Sequence, residues 1–61
     1  MWEGKMTPEL DELFAQYRDR FGVGDPDEYD ELNYAAMTHD ELVGFIKECL
    51  ATGKEMPDVV P

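Results

Sequence analysis

The sequence predicts an all-α domain. Two stretches carry apolar residues at helical spacing, and each opens on a capping residue and closes on a glycine. No stretch alternates apolar and polar residues as a half-buried strand would. The expected architecture is two main amphipathic helices, over about 8–21 and 39–52, with a short third helix over about 26–32 and an extended C-terminal tail. Residues 1–6 are expected to form a flexible N-terminal extension, 7–53 the helical domain and 54–61 the tail.

Thr7 can cap the first helix, and Pro8 suits its first turn because a missing N–H costs nothing there. Glu9, Asp11 and Glu12 place negative charge at the positive end of the helix dipole. Leu10, Leu13, Phe14, Tyr17 and Phe21 fall on one face. Gly22 can take the left-handed conformation that ends a helix.

Asp25-Pro26 offers a cap and a helix start for the 26–32 segment, with Tyr29 and Leu32 spaced to face inward together. Thr38 and Glu41 match the capping box, in which each side chain reaches the other residue's backbone N–H. Behind them Leu42, Phe45, Ile46, Cys49 and Leu50 share a face, with Val43 at its edge, and Gly53 is the stop. Gly44, in mid-helix, costs about 1 kcal/mol against alanine and marks either the close approach of another backbone or an unselected surface position. After Gly53 the chain carries two prolines and Val59-Val60, which reads as extended.

Charge narrows the function classes. Fifteen acidic residues against five basic ones give a net charge of −10 on 61 residues. Self-repulsion of that size lowers the stability of a small domain at low salt. An apolar fraction of 43% still supports one compact core. Direct nucleic-acid binding is disfavoured, because only Lys5, Arg18, Arg20, Lys47 and Lys54 could meet phosphates. No apolar run is long enough to span a membrane, and the N-terminus lacks the basic-then-apolar pattern of a signal peptide. A lone cysteine cannot staple the fold, so a reducing cytoplasm, bacterial or phage-infected, is the expected setting.

Catalytic and metal chemistry find little footing, and neither catalytic residues nor a metal or other cofactor is expected. His39 is the only histidine, there is no serine, and Cys49 lies within an apolar face. One His and one Cys do not make a zinc site. Asp25, Asp27, Glu28, Asp30 and Glu31 put five carboxylates within seven residues. A calcium loop begun at Asp25 would need glycine where Asp30 stands and glutamate where Ala36 stands.

The expected function is therefore protein binding: a small acidic module that regulates or inhibits a larger protein through that protein's basic surface. The candidate contact residues are Asp25, Asp27, Glu28, Asp30 and Glu31, with the aromatics Trp2, Tyr29 and Tyr34. Trp2, outside both patterned faces, is the candidate exposed anchor. A sharper alternative is a nucleic-acid mimic, such as a phage counter-defence protein. Its carboxylates at 25–31 would join Asp11, Glu12 and Asp19 in one phosphate-like stripe. The third possibility is a structural or oligomeric domain whose acidity only keeps it soluble. A monomer or weak homodimer is expected, since a dozen or so large apolar side chains make a thin core.

Overall fold

Both main helices form where the spacing places them. In the computed structural model, which describes all residues Met1–Pro61, α1 spans Pro8–Phe21 and α2 spans His39–Thr52. Thr7 Oγ1 accepts from the Leu10 N–H at 3.3 Å. Gly22, at φ 68°, closes α1 by donating to the Arg18 carbonyl at 2.9 Å. The capping box of α2 is complete. Thr38 Oγ1 accepts from Glu41 N at 3.1 Å, and Glu41 Oε1 accepts from Thr38 N at 2.8 Å. Two donors that the helix start would orphan are satisfied reciprocally. Gly53, at φ 79°, ends α2 on the Cys49 carbonyl.

The two helices run broadly in the same direction. At their starts the Thr7 hydroxyl meets His39 Nε2 at 2.7 Å. At their ends the Arg20 guanidinium lies beside Gly53. Residues 22–38 must therefore travel back along the pair, and this returning segment holds the acidic cluster.

The core is formed by Leu10, Leu13, Phe14 and Tyr17 of α1, Leu42, Val43, Ile46 and Cys49 of α2, and Tyr34 and Met56. Val43, expected at the edge of its face, is buried, while Phe45 and Leu50 are only half-buried. The apolar face of α2 is thus centred nearer Leu42, Ile46 and Cys49 than the spacing alone implied. The Cα radius of gyration is 10.2 Å. A compact chain of this length is expected at about 10.5 Å, so the core holds the fold closed against its own charge.

The short third helix sits elsewhere than expected. Residues 26–32 form two turns rather than a helix. Tyr34, at the start of the 3₁₀ turn Tyr34–Ala36, accounts for the difference. Its hydroxyl donates to the Pro26 carbonyl at 2.6 Å and accepts from the Tyr29 N–H at 3.3 Å. These are backbone groups that a helix begun at Asp25-Pro26 would have used in its own ladder.

The tail is also not wholly extended. Met56–Val59 form one turn of helix, α3, with Pro57 in its first turn. That is a position where proline's fixed φ helps and its missing N–H is not needed. Met56 is fully buried, and Val59 and Val60 pack on the core.

Gly44 has no close neighbour. A Cβ built there meets nothing within 4 Å, so of the two readings the surface position holds and the close backbone approach does not occur. Its conformation is also not left-handed. Gly44→Ala is therefore expected to stabilise the fold by about 0.5–1 kcal/mol, because alanine loses less backbone entropy in a helix. Thermal unfolding should move up by several degrees. An unchanged or lower midpoint would contradict the exposed, unstrained placement of this residue.

Candidate functional site

The acidic segment begins with a turn. Pro26 takes the second position of Asp25–Glu28, a place its fixed φ suits. Glu28 N donates to the Asp25 carbonyl at 3.3 Å, and the Glu28 carboxylate accepts from Asp25 N at 2.7 Å. Gly24, at φ 108°, precedes the turn in a conformation that other residues rarely adopt. A side chain there would also press on the Glu28 carboxylate, 3.1 Å from the built Cβ.

Three of the five clustered acids are engaged internally. Asp25 Oδ1 lies 2.6 Å from Arg18 Nη1. Asp27 is buried, and its Oδ2 accepts from the Trp2 N–H at 3.0 Å. Glu28 caps the turn while its side chain stays exposed. Carboxylate oxygens of Asp25, Asp27 and Glu28 converge within 4.8 Å of one another, and the guanidinium and the two N–H donors account for that convergence. Asp30 and Glu31 are exposed and make no hydrogen bond or ion pair within the chain. The part of the cluster that faces outward is thus Glu28, Asp30 and Glu31.

The Arg18 guanidinium, bonded to Asp25, also lies in the electrostatic neighbourhood of Asp11 and Glu28. A cation therefore sits where the 25–31 segment would join the outer face of α1.

The aromatic candidates turn inward to different degrees. Tyr34, expected as a contact residue, is only 4% exposed. Its hydroxyl is committed to the loop backbone. Burial pushes this phenol up to about 12, helped by the nearby Asp27 and Glu31 charges.

Tyr29 is half-buried and joins a relay that ties α1 to α3. The Met56 N–H donates to the Tyr17 hydroxyl at 3.2 Å, and Tyr17 meets the Tyr29 hydroxyl at 2.5 Å. Tyr29 in turn donates to Glu55 Oε1 at 3.0 Å. With the Tyr29 proton given to the carboxylate, Tyr17 is the donor between the two phenols. Burial raises both phenols above the ordinary range, and for Tyr29 the bonds to Tyr17 and Glu55 add to the rise. No buried side-chain nitrogen or oxygen lacks a partner, so this polar network is fully satisfied.

Trp2 is not a free anchor. Its ring packs on the edge of the core, its Nε1 donates to the Lys5 carbonyl at 3.2 Å, and its backbone N–H reaches Asp27. Gly4 lies against the indole so closely that a Cβ there would sit 2.3 Å from the ring. The segment 1–6 carries no helix or strand but is held at these points.

Beside the acidic segment lies an apolar groove that no motif announced. Leu32, Met37, Phe45, Val60 and Ala36 line it, and Glu31 and Glu41 stand among its lining residues. Its volume is about 340 Å³. Phe45, on the broad apolar face of α2, and the Val59-Val60 pair were its only traces in the sequence. Cys49 is fully buried, and its thiol is pushed up to about 11, chiefly by burial, which makes it a poor nucleophile. No helix is long and apolar enough to cross a membrane. Comparison with protein-family models, with curated proteins and with solved structures gives no match to this chain.

Proposed function

We propose that this chain is a protein-binding module that docks on the basic surface of a larger protein and regulates or inhibits it. The observation that carries this reading is the surplus of unused charge. Glu3, Asp11, Asp19, Asp30, Glu31, Glu48 and Asp58 are exposed and have no hydrogen bond or ion pair within the chain. Apart from the helix-start acids Asp11 and Asp58, those carboxylates make no contact that holds the fold and add self-repulsion. A domain of this size needs only about 2–8 net charges for solubility, and this one carries −10. A partner with complementary charge gives the surplus a use, because opposite potentials speed encounter and select the partner. A cytoplasmic setting goes with this reading, since the lone cysteine is a free, buried thiol.

The test is capture from a cell extract across a salt series. The protein is compared with a Glu28→Gln, Asp30→Asn, Glu31→Gln variant and with an equally neutralised control, Asp19→Asn, Glu48→Gln, Asp58→Asn. The expected result is one stoichiometric basic partner that elutes as salt rises, is lost by the first variant and is kept by the control. No partner at any salt, or equal retention by both variants, would overturn the reading of this face as the contact surface.

A further inference from the structure

We infer that the groove between the 31–37 segment and the C-terminal residues docks a short amphipathic basic segment, apolar residues down and lysines or arginines at the rim. The inference rests on the protein-binding reading above and names the site and the chemistry of its occupant.

Two features of the groove point to that occupant. The first is its floor. Leu32, Met37, Phe45 and Val60 are all half-buried side chains that pack on the core from one side and leave the other side open. They come from three separate parts of the chain, so the surface exists only in the folded state. A volume of about 340 Å³ lies at the small end of ligand sites, enough for one or two side chains of a partner rather than a whole cofactor.

The second is the sign of the rim. Glu31 and Glu41 are the only charged residues among those lining the groove. The cations lie elsewhere. Arg18 is paired with Asp25, Lys47 reaches Glu9 at 3.5 Å across the two helices, and Arg20 packs over Phe21 and beside Gly53. An apolar floor with an acidic rim selects an apolar segment that carries positive charge. A second copy of this chain is a poor occupant, because each copy carries −10 and brings acids to an acidic rim.

The binding arrangement follows the helix-in-groove mode. Apolar side chains at positions i and i+3 or i+4 of the partner would face Leu32, Met37, Phe45 and Val60. Basic residues on its flanks would face Glu31 and Glu41.

The probe is a synthetic peptide of leucine and lysine with its leucines on one helical face. Two controls accompany it: an isomer of identical composition with the leucines scattered, and an analogue with glutamine for leucine. Binding is followed by amide and methyl chemical shifts of the full chain. The expected result is that the amphipathic peptide alone shifts Leu32, Met37, Phe45 and Val60. Glu31→Gln with Glu41→Gln should weaken it roughly fivefold at low salt and less at high salt, as rim charges do. Glutamine at position 41 keeps the capping box, so α2 stays intact. Val60→Lys, checked for native helix content, should abolish binding by placing a cation in the groove.

If the glutamine analogue binds as well and shifts only Glu28, Asp30 and Glu31, the groove is not the site, while the charge-led reading survives. If no basic peptide shifts any residue, both fall. Self-association that shifts the groove in the absence of peptide would overturn the choice of occupant.

Discussion

Tyr34→Phe is expected to lower the stability of this domain by about 2–3 kcal/mol. The ring can stay, since phenylalanine keeps the shape of a side chain that is 4% exposed. What is lost is the hydroxyl that donates to the buried Pro26 carbonyl and accepts from Tyr29 N. Both backbone groups are then left without a partner, and an unsatisfied buried polar group costs more than the net worth of its hydrogen bond. A domain of this size has a total stability of about 3–9 kcal/mol, so the loss is a large share. Thermal unfolding should fall by roughly 10–20 °C, and the Tyr29 amide should exchange with solvent faster. An unchanged midpoint with an unchanged amide would mean that the hydroxyl does not hold the 25–32 segment. The consequence reaches the proposed contact face, because the same bonds hold the segment that carries Glu28, Asp30 and Glu31.

The second large effect is alkaline unfolding between about pH 10 and pH 12. Burial pushes Tyr34 up to about 12 and Cys49 up to about 11, from ordinary values of 10.0 and 9.0. Burial raises Tyr17 as well, and raises Tyr29 further through its bonds to Tyr17 and Glu55. The sign follows from the protonated forms being the ones the fold accepts. Below about pH 9 these groups are neutral in both states, and their contribution to stability is complete. As pH rises, the unfolded chain releases the protons first, so stability falls by about 1.4 kcal/mol per pH unit for each such group. Between about pH 10 and pH 11 the two buried groups Tyr34 and Cys49 together remove about 3 kcal/mol, and Tyr17 adds to the loss. By about pH 12 the loss from these two groups alone is about 5 kcal/mol, comparable with a total stability of about 3–9 kcal/mol. Phenolate absorbance and loss of helix dichroism should rise in one coincident transition. Phenolates that appear near pH 10 while the helices persist would show that the Tyr17–Tyr29–Glu55 relay and the Tyr34 bonds are not closed to water.

The parts of this fold that sequence reading reached are those that local chemistry governs. A helix start depends on a side chain three residues from the N–H it caps, and a helix end depends on one residue's freedom at positive φ. Thr7, Gly22, the Thr38–Glu41 box and Gly53 are all of that kind. Within the 25–31 segment the same local signals were present and lost. Asp25-Pro26 did begin a turn, but a hydroxyl from residue 34 took the backbone groups the next turn needed. Pro57 in the first turn of α3 was legible in principle, since proline followed by an acid is a helix-start pattern. Gly44 left two readings open because its cost is visible in the sequence, while the open space around it is not.

The candidate site divides on the same line. Charge is a property of composition, so the acidic surplus that suggests a basic partner needs no coordinates. Which acids are free to meet that partner is a matter of neighbours. Arg18 lies seven residues from Asp25, and Trp2 twenty-five from Asp27; no spacing rule links such pairs. The groove is more remote still, since Leu32, Met37, Phe45 and Val60 come together only when residues 22–38 return along two helices that point the same way. By itself, then, the sequence determined two capped amphipathic helices and the sign of the surface, because caps, periodicity and charge act within a few residues or sum over all of them. The tertiary structure alone decided which acids stay outside, which tyrosines go inside and where the apolar groove opens, because each of those depends on the few long-range contacts that a folded core brings within bonding distance.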